Sequence, residues 1–75
     1  MEPAYRLVML GKKQLEDEDY NEALHSFEQA ILLNQKDPDL WNLKGIALRS
    51  LGRYDEAILC FNKSLSIDPR DKNAS

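Results

Sequence analysis

At 75 residues, 43% of them apolar and 31% charged, the chain reads as one globular domain close to the lower limit for a self-sufficient core. A chain this short buries only about 60–65% of its unfolded surface. Thirteen acidic residues against ten Lys and Arg leave a net charge of −3. That balance argues against a nucleic-acid backbone or a membrane surface, both of which call for a clustered cationic face.

No apolar run approaches the ~20 residues of a membrane span. Met1-Glu2-Pro3 lacks the basic-then-apolar order of a secretory leader. The single cysteine, Cys60, can form no internal disulfide, so a reducing cytoplasm is the expected setting.

The first helix is expected from Pro3 or Ala4 to about Asp17, with Leu7, Leu10, Gly11 and Leu15 stepping by three and four along its inner face. Acidic residues 16–19 end it, and Asp19 followed by Glu22 reads as a capping box for the next helix. That second helix should run from Tyr20 to Leu33, turning Ala23, Leu24, Phe27, Ala30 and Ile31 inward. After a polar link, Asp37 caps a third helix that has Pro38 in its first turn, where the missing N–H has no partner to lose.

The third helix reaches about Leu51, with Leu40, Trp41, Leu43, Gly45, Leu48 and Leu51 on its apolar side. Gly52 supplies a tight turn. The fourth helix, Tyr54 to Ile67, carries Ala57, Ile58, Phe61, Leu65 and Ile67 inward, and Asp68-Pro69 stops it because the residue before proline avoids helical angles. Residues 70–75 form a polar tail expected to fray.

The chain repeats itself at a spacing of 34 residues: Gly11 matches Gly45, Tyr20 Tyr54, Glu22 Glu56, Ala23 Ala57, Phe27 Phe61 and Asp37 Asp71. A helix-turn-helix unit at that period implies stacked solenoid repeats. Glycine in a helix interior is unfavourable by ~1 kcal/mol. Its recurrence at one register position therefore implies close helix packing, with Phe27 and Phe61 filling the space beyond. The expected fold is all-α, two stacked antiparallel helix pairs over 4–37 and 38–71, with 72–75 as the tail.

The run Trp41, Leu43, Gly45, Leu51-Gly52-Arg53-Tyr54, Glu56-Ala57, Phe61, Leu65, Asp68-Pro69 resembles a tetratricopeptide repeat. Leu7, Leu10-Gly11, Tyr20, Glu22-Ala23, Phe27 and Ala30 resemble it more loosely. The first copy departs from the pattern at Gln14, at Glu18 in the place of the turn glycine, and at Gln35 in the place of the terminal proline.

The resemblance implies a protein–protein interaction module in which one helix of each pair lines a concave groove. Carried over residue by residue, that face holds Tyr5, Val8, Met9, Lys12 and Glu16, then Asp39, Asn42, Leu43, Ile46, Arg49 and Ser50. The expected partner contacts are Met9, Lys12, Asn42, Leu43, Ile46 and Arg49. Met9, Leu43 and Ile46 would form an apolar floor. Asn42 would pair with a peptide backbone, and Lys12 and Arg49 with acidic groups. Family members that clamp the acidic tail of heat-shock chaperones carry Lys and Asn where this chain has Val8, Lys12 and Leu43, so that specificity is not expected.

Two repeats are few for a solenoid, which usually needs about three. The last helix should leave some of Leu59, Cys60, Leu65 and their neighbours uncovered, and the alternative reading is a structural unit that self-associates, packs on a partner or stacks in a longer array.

Catalysis is not expected. His25 and Cys60 are the only imidazole and thiol, and they read as a surface residue and a small packing residue. Residues 16–19 lack the glycine and the alternating ligands of a calcium loop. Neither a metal nor a cofactor is implied.

Overall fold

The computed structural model describes residues 3–68. Four helices follow in order: α1 (Pro3–Glu16), α2 (Tyr20–Leu33), α3 (Pro38–Ser50) and α4 (Tyr54–Ile67), with no strand among the described residues. Every helix end lies within one residue of its expected place. Pro69 and the tail expected over 70–75 lie outside the described residues. Helix α1 packs on α2 and α3 on α4, and the α2–α3 contact joins the two pairs. The shortest dimension is 19 Å, about two helix diameters, so the pairs form two layers.

The same close approach locks both pairs. A Cβ placed on Gly11 would stand 2.5 Å from Cε1 of Phe27, and one on Gly45 would stand 2.5 Å from Cε1 of Phe61. Around these rings Ala23, Leu24, Phe27, Ala47, Leu48, Ala57 and Cys60 make the main core, and Ala30, Ile31 and Leu40 a second cluster.

Both intrapair turns use one geometry. Glu18 (φ 65°) and Gly52 (φ 81°) occupy the left-handed region. Each turn closes with the same two bonds: Glu18 N–H to Leu15 O and Asp19 N–H to Gln14 O, then Gly52 N–H to Arg49 O and Arg53 N–H to Leu48 O. This is the double carbonyl closure that left-handed helix ends commonly use.

That turn overrides the expected capping box. Asp19 makes no side-chain cap bond and takes φ −87°, ψ 68°, nearly the angles of Arg53 at the equivalent place, rather than the extended angles a side-chain cap uses. Its backbone carbonyl instead accepts from the Ala23 N–H. The Asp37 cap does form, its carboxylate accepting from the Asp39 N–H at 3.0 Å.

Gln14, the polar departure from the family pattern, accepts a 2.7 Å hydrogen bond from the buried Ser26 hydroxyl. Leu48 and Cys60 stand at the same two places in the second pair, so a polar contact in one copy is an apolar one in the other. The main-chain carbonyl of Gln35 accepts from the Trp41 indole N–H at 3.0 Å, a bond that does not depend on the glutamine side chain.

Two burial expectations are corrected. Leu10 is 48% exposed, because it lies a helical step round from Gly11, beyond the seam with α2. Ile58 is 54% exposed, because no described helix covers the outer side of α4. Leu59 is exposed and Leu65 half-buried, in keeping with the expectation that part of the last helix lies uncovered, and Cys60 is buried with Ala57 and Leu48, as a small packing residue is.

Candidate functional site

A cleft of about 370 Å³ runs between α1 and α3. Ala4, Tyr5, Val8 and Lys12 line one wall, and Asp39, Leu40 and Leu43 the other. Asn34 and Asp37, from the link between the pairs, close one end. Helical spacing accounts for the walls: Ala4, Val8 and Lys12 are four apart, as are Asp39 and Leu43, so each set shares a helix face.

Leu40 and Val8 are held from behind by the second core cluster, where Ala30 and Ile31 pack. The floor is thus apolar and backed by the core. The rim has two signs, with the Lys12 ammonium on α1 and the carboxylates of Asp37 and Asp39 at the α3 N-terminus.

Of the residues expected to meet a partner, Lys12 and Leu43 come together in this cleft. Met9 is exposed on α1 outside the lining. Asn42 and Ile46, half-buried, and Arg49, exposed, continue along α3 beyond the cleft. Sequence reading missed Ala4, Asn34, Asp37 and Leu40 as part of the site. The available signal was the register itself: equivalent helices start at equivalent places, so the link entering α3 must pass beside the start of α1.

The opposite side carries Trp41. Its ring lies between the Lys44 and Lys63 ammonium groups, 5.5 and 5.8 Å from the ring centre, and Lys44 also pairs with Glu28 at 3.7 Å. Two shallow hollows of about 430 and 320 Å³ flank this ring, with exposed Leu32 beside one and Leu59 beside the other.

His25 is exposed on α2, while burial pushes the Cys60 thiol above its ordinary range, away from the thiolate a nucleophile needs. Among the described residues no three His, Cys, Asp or Glu side chains gather as a metal site, and no helix is long and apolar enough to cross a membrane.

Comparison with known proteins gives the site its context. The family model described as tetratricopeptide repeat matches residues 8–72. An uncharacterised protein of Methanocaldococcus jannaschii is 46% identical over 50 residues, covering 67% of this chain and 58% of that protein. The Hsp70-Hsp90 organising protein of Plasmodium falciparum is 43% identical over 67 residues, covering 88% of this chain and 26% of its own length. The peroxisomal targeting signal receptor of Saccharomyces cerevisiae is 31% identical over 62 residues, covering 83% of this chain and 10% of that receptor. The chain therefore spans less than two thirds of each of these relatives, from 58% down to 10% of their length.

Proposed function

Because the chain belongs to the tetratricopeptide repeat family, a family of protein–protein interaction modules, we propose that it holds an extended peptide or a partner helix in the α1–α3 cleft. The observation that carries this reading is the cleft's make-up: a preformed apolar floor of Val8, Leu40 and Leu43 with Lys12 at one rim and Asp37 and Asp39 at the other. Sites for macromolecular segments combine apolar contact area with a few placed polar groups.

In this reading Leu43 takes an apolar side chain of the ligand and Lys12 pairs with an acidic one. Met9, Asn42, Ile46 and Arg49 lengthen the contact strip beyond the cleft itself. A ligand carrying both charge signs around an apolar residue suits the rim. With two repeats the strip is short, and affinity for a lone peptide should be about micromolar or weaker, roughly −8 kcal/mol at most in magnitude. The lone buried Cys60 suits work in the cytoplasm.

Selection of a displayed random-peptide library on the immobilised chain tests the reading. Enriched peptides should lose binding at least tenfold to Leu43→Glu and to Lys12→Glu, and keep it on Ile58→Glu. Peptides whose binding ignores Leu43 and Lys12 but fails on Ile58→Glu would move the site off the cleft.

A second reading, a unit for assembly, is favoured by a different observation: the exposed apolar stripe of α4, with Ile58 at its centre. One relative's name places it with chaperones. Val8, Lys12 and Leu43 depart from the chaperone-clamping pattern, so an acidic chaperone tail is not the ligand proposed here.

A further inference from the structure

The two hollows beside Trp41 share the Trp41 and Lys44 side chains, so they adjoin as one groove that crosses α3 from α2 to α4. Leu32 lines its α2 side and Leu59 its α4 side. At 67% and 68% these are the two most exposed large apolar side chains among the described residues.

The first pair folds without this arrangement. At the 34-residue spacing, Trp41, Lys44, Leu59 and Lys63 correspond to Leu7, Leu10, His25 and Gln29. Both pairs keep the glycine–phenylalanine seam, so helix packing does not call for an indole, two lysines and an exposed leucine at these places. They are additional to the repeat.

Four charged side chains line the groove, Glu28 on α2, Lys44 on α3, and Glu56 and Lys63 on α4. Lys44 pairs with Glu28 at 3.7 Å, and Glu56 with Arg53 at 2.7 Å. Lys63 pairs with no carboxylate among the described residues; its ammonium lies 5.8 Å from the Trp41 ring centre. An exposed cation–π contact is a weak attraction, and a carboxylate is a stronger, charge-assisted partner. The charge left over in the groove is positive.

Spacing narrows the occupant further. Packed helices stand about 8–10 Å apart, which sets the step from the α2–α3 hollow to the α3–α4 hollow. A polyproline-II segment has three residues per turn and rises about 3.1 Å per residue, so positions i and i+3 share one side about 9 Å apart. An α-helix advances only about 4.5 Å over the same three residues.

We infer that this groove is a second docking surface, separate from the α1–α3 cleft, whose occupant is an extended acidic segment of a partner protein with apolar residues at i and i+3. The two apolar side chains enter the hollows on either side of Trp41, against Leu32 and Leu59. A carboxylate next to the one beside Leu59 takes Lys63.

Trp41 is the chain's only tryptophan, so its fluorescence reads this groove. The probe is a blocked peptide, Glu-Leu-Pro-Pro-Leu-Glu, whose prolines favour the required conformation and whose acids serve either chain direction. It should give a saturable shift below about 1 mM. Exchanging both acids for lysine, or both leucines for serine, should weaken binding at least about fivefold. Lys63 is exposed, and Lys63→Glu should reverse the preference, favouring the lysine peptide.

No saturable shift, or equal affinity for the acidic and lysine peptides, would overturn the inference. So would a loss on Lys12→Glu with none on Lys63→Glu, which would put the peptide in the cleft. Tighter binding of a helical peptide with leucines seven apart would overturn the extended occupant. Library peptides selected for the cleft should be indifferent to Lys63→Glu, so either surface can fail without the other.

Discussion

The ring of Phe61 lies in the space that a side chain on Gly45 would need, with Cε1 only 2.5 Å from the position of a Cβ. Phe27 stands in the same relation to Gly11. Alanine at either glycine gains about 1 kcal/mol of helix propensity but forces a ring to move, and overpacking typically costs about 1–3 kcal/mol. Phe61 is half-buried and can shift outward, whereas Phe27 is fully enclosed. Urea denaturation should therefore show Gly11→Ala losing about 1–2 kcal/mol, and Gly45→Ala less. An equal or reversed order would mean that ring mobility does not decide the outcome.

Glu18 adopts the left-handed conformation at the place where the second pair has Gly52. A residue with a Cβ pays roughly 1–2 kcal/mol there, part of which glycine returns through its freer unfolded chain. Glu18→Gly should raise stability by about 0.5–1 kcal/mol, and Gly52→Ala should lower it by about 1 kcal/mol. Opposite signs in chemical denaturation are the expected outcome.

The Ser26–Gln14 hydrogen bond sits beside the main core, and its counterpart in the second pair is the apolar couple Cys60 and Leu48. Ser26→Ala alone leaves Gln14 without its partner and should cost about 1 kcal/mol. Gln14→Leu with Ser26→Ala restores an apolar match and should cost less than the sum of the single changes. A double-mutant cycle that came out additive would show that the two side chains are not coupled.

Ser64 is 1% exposed and its hydroxyl has no hydrogen-bond partner in the structure; Ala30 holds the equivalent place. Ser64→Ala removes a buried polar atom without opening a large cavity. It should raise the unfolding free energy by an amount on the order of 1 kcal/mol, and the thermal midpoint with it. A fall would imply that the hydroxyl is satisfied.

Arg53 donates two hydrogen bonds to Glu56, at 2.7 and 2.8 Å, which lowers the Glu56 carboxyl below its ordinary 4.5 and raises the Arg53 guanidinium. A carboxylate with a lowered folded-state value contributes stability that is full above the unfolded value and is lost as pH falls through the folded one. Glu56→Gln should accordingly leave a smaller loss of stability below pH 4.5 than the parent shows. Both groups are exposed, so the difference should shrink in added salt.

The helices were legible from the chain because their signals are local. Pro38 after Asp37, Gly52, and apolar steps of three and four each act within a turn or two of backbone. The pairing was legible for another reason: a glycine and a phenylalanine repeated at one register position leave few ways for two helices to approach. Asp19 misled because two turns sharing the same backbone angles outweighed the preference of one side chain. Four of the six expected partner contacts lie outside the cleft because helix periodicity assigns a residue to a face but does not say where a neighbouring loop closes it.

Local pattern and internal repetition were thus enough for four helices in two pairs of one family. Which apolar residues ended up covered depended on long-range contact. Leu24 and Ile58 are chemically alike and hold the same register position, yet one is 6% exposed and the other 54%. The difference lies in whether another helix arrives over them. Burial is a property of the assembled neighbours, and a residue's own identity sets only its preference for it.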